Sequence, residues 1–267
     1  MRNNNTTQKY LGPKETNVLA RLSYEKLNVF TQEQFDSLFK FSPKMRNEIL
    51  SRLKRKGLLK SIKRGVYLYS PLESGPAGIN INEFLIPPIL FPKGNYYIGY
   101  STMYNYYGFT DQIFQTMFIL NTSLQRERII GGIKFKILKI PPNRFYGIQT
   151  ININNVSVNV SDKERTLIDL IYYNKPVGGL QKAFEIISEQ LNQNKTDLKK
   201  LIEYIIQFPN ISTRKRLGYI IEKNLPNKKE INLIAKSIVN SSLSTLYPAR
   251  SRKGKINKKW RLIENAP

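Results

Sequence analysis

Not one of the 267 residues is a cysteine or a histidine, which restricts the chain to folds held by packing and hydrogen bonding alone. Disulfides, thiolate or imidazole metal sites, and nucleophiles of the Cys-His or Ser-His-Asp kind are all excluded. Length makes up for the missing staples, because a chain this long can form two ordinary domains, each with its own buried core. Any catalysis would have to use carboxylates, Lys, Ser or Tyr. No cofactor and no metal is expected, and the chain reads as a non-enzyme.

The start, MRNNNTTQKY, has no apolar run behind its basic residue, and the apolar stretch FLIPPILF is short and broken by Pro87 and Pro88. Neither a leader nor a membrane span is expected, so the sequence predicts a cytoplasmic protein without a membrane partner. Its 43 basic against 19 acidic side chains give +24, a field that attracts polyanions in a salt-dependent way. The charge is concentrated at the ends. Residues 1–70 carry +10 (15 basic, 5 acidic) and 241–267 carry +6 (7 and 1), against +3 for 71–150 and +5 for 151–240.

Ser70 to Asn80 (SPLESGPAGIN) has the Pro, Gly and small-residue composition of a linker. The expected organisation is a domain over 1–70, a linker over 71–80 and a larger domain over 81–267. Three helical patterns precede the linker. The first carries Val18, Leu19 and Leu22. The second opens with a capping box, Thr31 and Gln34, inside a hydrophobic staple of Phe30 and Phe35, and its buried face is Phe35, Leu38 and Phe39. The third has Ser42 as N-cap, Pro43 at its first position and Gly57 as its stop. LLKSIKRGVYLY then reads as two strands around Lys63-Arg64-Gly65. Three helices followed by a hairpin predict a winged helix-turn-helix.

Beyond the linker the pattern is mixed. Strands are expected at Gln115–Asn121, at Ile133, Phe135 and Ile137, and at Val156–Val160. A helix follows with Ser161 and Glu164 as its capping box, then further helices on the Ala183, Leu201, Leu217 and Ile234 stripes. The end, with Trp260, Leu262 and Ile263, reads as a strand. The fold class expected is therefore α+β, an N-terminal winged helix-turn-helix before a mixed domain with a helical C-terminal half.

At about 100° per residue, Met45, Ile49, Leu50 and Leu53 of the third helix share one arc, and Arg46 lies inside it and is expected to snorkel outward. The opposite arc holds Lys44, Asn47, Ser51, Lys54 and Arg55, cations for phosphates at the edges and an amide for base edges at the centre. Lys63 and Arg64 of the wing are placed to reach a flanking phosphate or the minor groove. These seven residues are the candidate DNA contacts, against the plainer reading of a solvated helix face. In the basic end, Arg250, Arg252, Lys253 and Lys255 are candidates for a second nucleic-acid or partner contact.

Six tyrosines between Tyr96 and Tyr107 could stack on unpaired bases, but Tyr100, Tyr104 and Tyr107 share a helical face and packing is the expected role. Asp162, Glu164 and Asp169 are better explained by capping and the helix dipole than by a metal. Gly178-Gly179 reads as a tight turn.

In KRGVY, YYIGYSTMYNYYGFTDQ, VSDKERTLIDLI, PVGGLQKAFEII, RKRLGYIIEKNL and the closing G-x-x-x-K-x-W-R-L-I-E-N run from Gly254, the chain resembles the AbiEi-type antitoxins of type IV, abortive-infection toxin-antitoxin systems of bacteria. It departs from them at Tyr107, where those proteins often carry His. The resemblance implies a transcriptional autorepressor that binds an inverted repeat in its own promoter. It also implies a second domain that neutralises a cognate nucleotidyltransferase-like toxin, with or without direct contact. Two other functions compete: an RNA-binding or RNA-processing protein that uses the basic ends and tyrosines, and a nuclease with an Asp/Glu metal site.

Overall fold

The computed structural model describes residues 10–69, 82–153 and 156–265. The linker predicted at 71–80 lies outside the described residues. The architecture is α+β, in two compact units: Met1–Ile86 with Ile129–Ile133, and Pro87–Arg128 with Lys134–Pro267.

In the first unit, Pro13 opens α1 (Pro13–Tyr24), where its missing N–H costs no hydrogen bond. The Glu15 carboxylate turns back to accept the Gly12 N–H at 3.1 Å. After β1 (Val29–Thr31), the box that opens α2 (Gln32–Phe39) is reciprocal. Thr31 Oγ1 accepts the Gln34 N–H at 3.2 Å, and Gln34 Oε1 accepts the Thr31 N–H at 2.8 Å. Phe30 and Phe35 close the staple with ring centroids 5.9 Å apart. Ser42 Oγ accepts the Met45 N–H at the start of α3 (Pro43–Arg55), and Gly57, at φ 77°, turns the chain out of it in a conformation that needs no Cβ. β2 (Leu59–Lys63) and β3 (Val66–Tyr69) form the expected hairpin.

Two expectations change here. The sheet has three strands in the antiparallel order β1-β3-β2, because Val29–Thr31 pairs with Val66–Leu68. Three residues are too few to show an alternation in sequence. The buried face of α2 is also narrower than expected: Phe35 is fully buried and Phe39 packs against the core, while Leu38 is half-buried outside it.

Next, α4 (Ile86–Leu90) precedes a six-stranded sheet made of β4 (Tyr96–Gly99), β5 (Thr116–Asn121), β6 (Arg126–Ile130), β7 (Ile133–Lys139), β8 (Ile148–Ile153) and β9 (Val156–Ser161), with α5 (Ser101–Tyr106) between the first two; all of this is second unit except Ile86, Ile129, Ile130 and Ile133. The order is β6-β7-β5-β4-β9-β8. β5 and β7 run parallel, as do β4 and β9, while β4 with β5 and β8 with β9 are antiparallel. The helices α6 (Lys163–Tyr172), α7 (Leu180–Asn192), α8 (Leu198–Gln207), α9 (Ile211–Asn224) and α10 (Asn232–Lys236) follow. Their apolar stripes share one core with Tyr97, Tyr104, Phe118 and Leu120 of the sheet side. A small sheet closes the unit: β10 (Ser244–Thr245), β11 (Lys255–Asn257) and β12 (Leu262–Glu264), ordered β10-β12-β11.

The cap of α6 differs from expectation. Ser161 is the last residue of β9, and Asp162 is the N-cap, its Oδ1 accepting the Arg165 N–H at 2.8 Å. Glu164 faces away from the cap and accepts the Asp197 N–H at 3.1 Å. A carboxylate beside a hydroxyl in the strand-to-helix turn is the stronger acceptor for an unpaired helix N–H.

Candidate nucleic-acid interface

The two marked ends of α3 make its orientation definite: Ile49, Leu50 and Leu53 are buried against α1, α2 and the β1-β3-β2 sheet. Lys44, Asn47, Ser51, Lys54 and Arg55 therefore emerge exposed on the other side. Lys44, Asn47, Ser51 and Arg55 line a shallow depression together with Glu48 and Arg52. Lys54 stands off this group, with its ammonium over the Tyr67 ring, 5.6 Å from the centroid. In the hairpin, Arg64 is exposed at the turn and Lys63 is half-buried at the end of β2.

Glu48 and Arg52 are additions to the predicted set. They form an ion pair at 3.7 Å, one helical turn apart. This spacing was legible in the sequence, since i and i+4 charges of opposite sign on a helix meet.

Arg46 does not snorkel. Its Nη1 pairs with Asp36 of α2 at 2.6 Å, and its Nε donates to Asn47 Oδ1 at 3.3 Å. A carboxylate on the facing helix offers a charge-assisted bond that removes any need to reach bulk water. The pair ties α2 to α3 and engages the acceptor side of the Asn47 amide, leaving its NH2 as the outward group.

In the second unit Arg250, Arg252, Lys253 and Lys255 are all exposed, and the Arg250 guanidinium lies 4.8 Å from the Tyr247 ring centroid. The cation run Arg214-Lys215-Arg216 behaves oppositely. Lys215 is 1% exposed and donates to the Ser242 carbonyl, while Arg216 donates to the carbonyls of Thr245 and Leu246 at 2.9 and 3.0 Å. These cations hold the closing segment onto α9 and are not available to a polyanion.

The tyrosines pack. Tyr96, Tyr97, Tyr100 and Tyr104 are buried, and only Tyr106 of the six is exposed. Arg165, wholly buried on α6, organises their surroundings. It pairs with Asp169 at 3.2 Å and donates to the Arg144 carbonyl at 2.8 Å and to the Tyr97 phenol at 3.1 Å. Arg144 in turn donates to the Tyr100 phenol at 2.8 Å, and Tyr104 donates to the Asp169 carbonyl at 2.8 Å. Burial pushes the Tyr97, Tyr100 and Tyr104 phenols well above their ordinary pKa and that of Tyr96 up to about 12. They act as neutral hydrogen-bonding groups. Tyr107 donates to the Ser161 carbonyl at 2.9 Å and accepts from Gln149 at 2.8 Å.

The carboxylates considered as metal ligands have other partners. Asp162 Oδ2 meets Lys200 at 3.1 Å and the Tyr204 hydroxyl at 3.0 Å, Glu164 meets Lys200 at 3.3 Å, and Asp169 is held by Arg165. Gly178 and Gly179, at φ 93° and 106°, form a tight turn before α7.

No protein-family model and no curated protein sequence matches the chain. Among solved structures, the crystal structure of the RV2827C protein from Mycobacterium tuberculosis is similar, with a TM-score of 0.64 at 11% identity, over 95% of this chain and 92% of that one. At that identity the likeness is one of fold.

Proposed function

We propose that this protein is a non-enzymatic, cytoplasmic DNA-binding autorepressor and antitoxin whose first unit is a winged helix-turn-helix. The observation that carries the DNA-binding reading is the exposed face of α3, where Lys44, Asn47, Glu48, Ser51, Arg52 and Arg55 surround one depression opposite the buried Ile49, Leu50 and Leu53. Such a helix suits a major groove, with the cations on phosphates and Asn47 at base edges. The β2–β3 turn, with Lys63 and Arg64, serves as the wing. Among the described residues no helix is long and apolar enough to cross a membrane.

The antitoxin half rests on the sequence resemblance. Two of the segments that carry it are in contact: Trp260 of the closing run lies on Gly218 of RKRLGYIIEKNL. The partner proposed for this unit is a cognate nucleotidyltransferase-like toxin. An RNA-binding reading is weakened by the burial of the tyrosines that would stack on bases.

The test is binding of the full chain to its promoter and to random duplex across a salt series. Lys44→Ala, Arg52→Ala and Arg55→Ala are expected to weaken binding to both, each lowering the salt slope by about 0.9. Asn47→Ala is expected to cost about 1 to 3 kcal/mol on the promoter and little on random duplex. Equal losses on both DNAs for Asn47→Ala remove it from base reading, and unchanged slopes for the three cation variants remove α3 from the interface. Protection of cells by residues 81–267 against the product of the neighbouring gene tests the antitoxin half separately.

A further inference from the structure

From Phe145 to Ser161, seventeen consecutive residues carry no charge in a chain of net charge +24. An equally long uncharged run, 94–110, is accounted for by the core, which takes in Tyr96, Tyr97, Ile98, Tyr100, Met103, Tyr104 and Phe109. Burial accounts for only part of the run 145–161. Gln149, Thr150, Asn152, Val156 and Ser157 are exposed, and Ile148, Ile151 and Ile153 are only half-buried.

The exposed run is the β8–β9 pair, and among the described residues β8 is the last strand of the sheet on its side. In an antiparallel pair alternate residues of the outer strand point their N–H and C=O groups away from the partner, so β8 presents a row of them outward. Edge strands are ordinarily protected by charge, Pro or a bulge. β8 (IQTINI) contains no charged residue and no Pro, and its register with β9 is unbroken over six pairs, from Ile148↔Ser161 to Ile153↔Val156. The opposite edge of the same sheet, β6, is protected in the ordinary way by Arg126, Glu127 and Arg128.

We propose that β8 is a dimerisation edge, on which a second copy of this chain pairs β8 to β8 in antiparallel fashion and continues the sheet from one second unit into the next. The occupant is a second copy because of charge. Two molecules of +24 repel one another over most of their surfaces, and an uncharged, exposed pairing edge is where that repulsion is least. The strand is also self-complementary. A two-fold axis normal to the sheet at Ile151 sets the two Ile151 side chains opposite each other and Gln149 opposite Ile153, every pair uncharged and on a common face. The proposal does not depend on DNA binding.

The absence of cysteine allows a direct test. Asn152→Cys and, as control, Arg126→Cys on the charged edge each introduce a single thiol into the full chain. Sedimentation equilibrium at raised salt, where long-range repulsion is screened, is expected to show a dimer for the parent protein. A short bismaleimide is expected to link Asn152→Cys into covalent dimers and to leave Arg126→Cys without covalent dimers. Thr150→Lys with Asn152→Lys is expected to give a monomer with the parent's circular dichroism spectrum. A parent protein that sediments as a monomer, equal cross-linking at both edges, or a folded double-Lys variant that stays dimeric each overturn the proposal. If the double-Lys variant does not fold, the two cysteine variants still decide.

Discussion

Gly218 of α9 and Trp260 of the closing segment meet with no side chain between them. A Cβ on Gly218 would fall 2.0 Å from Cζ3 of the indole, so the ring lies directly on the helix backbone. Its Nε1 donates to Glu222 Oε2 at 2.5 Å, one turn further along α9. The chain end is fastened to the helix by packing and by a charge-assisted bond at the same residue.

Gly218→Ala is therefore expected to destabilise the second unit. Alanine is the better helix former by about 1 kcal/mol, but overpacking a filled site costs about 1 to 3 kcal/mol or more, and the contact here is with a ring held on its other edge. Trp260 is the sole tryptophan, so its emission during thermal unfolding reports the site directly. A midpoint equal to or above the parent's would show that the indole moves aside freely.

Acid stability of the first unit is expected to depend on Glu15. Burial pushes its carboxyl up, but hydrogen bonds from Lys56 and the Gly12 amide, with the Lys56 charge, outweigh this and hold it below the ordinary 4.5. A lowered folded-state value contributes stability above the unfolded pKa and loses it as pH falls through the folded one. As pH falls below about 4.5 the parent should lose stability more steeply than Glu15→Gln, measured by urea unfolding of the first unit at successive pH values. Parallel curves would assign the acid sensitivity to another group.

Lys40→Gly is expected to stabilise the turn between α2 and α3. Lys40 is exposed and sits at φ 47°, ψ 34°, left-handed backbone that costs a side-chain-bearing residue about 1 to 2 kcal/mol. Glycine gives part of this back through unfolded-state entropy, so a net gain of about 0.5 to 1 kcal/mol is expected. The urea midpoint checks it, and a fall in that midpoint would mean that the lysine makes a contact worth more than the strain.

Arg252, Lys253 and Lys255 changed together to Ser should leave stability within about 0.5 kcal/mol, as exposed substitutions do. Arg250 is kept because its guanidinium covers the Tyr247 ring. Under the proposed function, the triple variant is expected to reduce either promoter affinity or protection against a cognate toxin. Parent-like behaviour in both assays, with an unchanged melting curve, would reduce this end to a solvated surface.

What the sequence determined by itself was most of what is decided within about one helical turn, the cap of α6 excepted, where Asp162 takes the place expected of Ser161. Thr31 and Gln34, Ser42 and Pro43, and Gly57 and Gly65 specify caps and turns whose partners lie no more than three or four residues away, and the structure has them in those roles. The two faces of α3 follow from the same local periodicity, so most of the candidate DNA contacts were legible before any fold was known. The fate of individual charges was decided only by tertiary structure. Arg46 finds Asp36 ten residues back, Lys215 finds a carbonyl twenty-seven residues on, and Arg165 finds the Tyr97 phenol sixty-eight residues back. In sequence Arg214-Lys215-Arg216 and Arg250 to Lys255 look alike, yet the first run is turned onto backbone carbonyls and the second stands in solvent. A cation is stable in water or against a well-placed acceptor, and nothing in its immediate neighbours says which will be offered. That choice depends on which distant segments the packed core brings alongside.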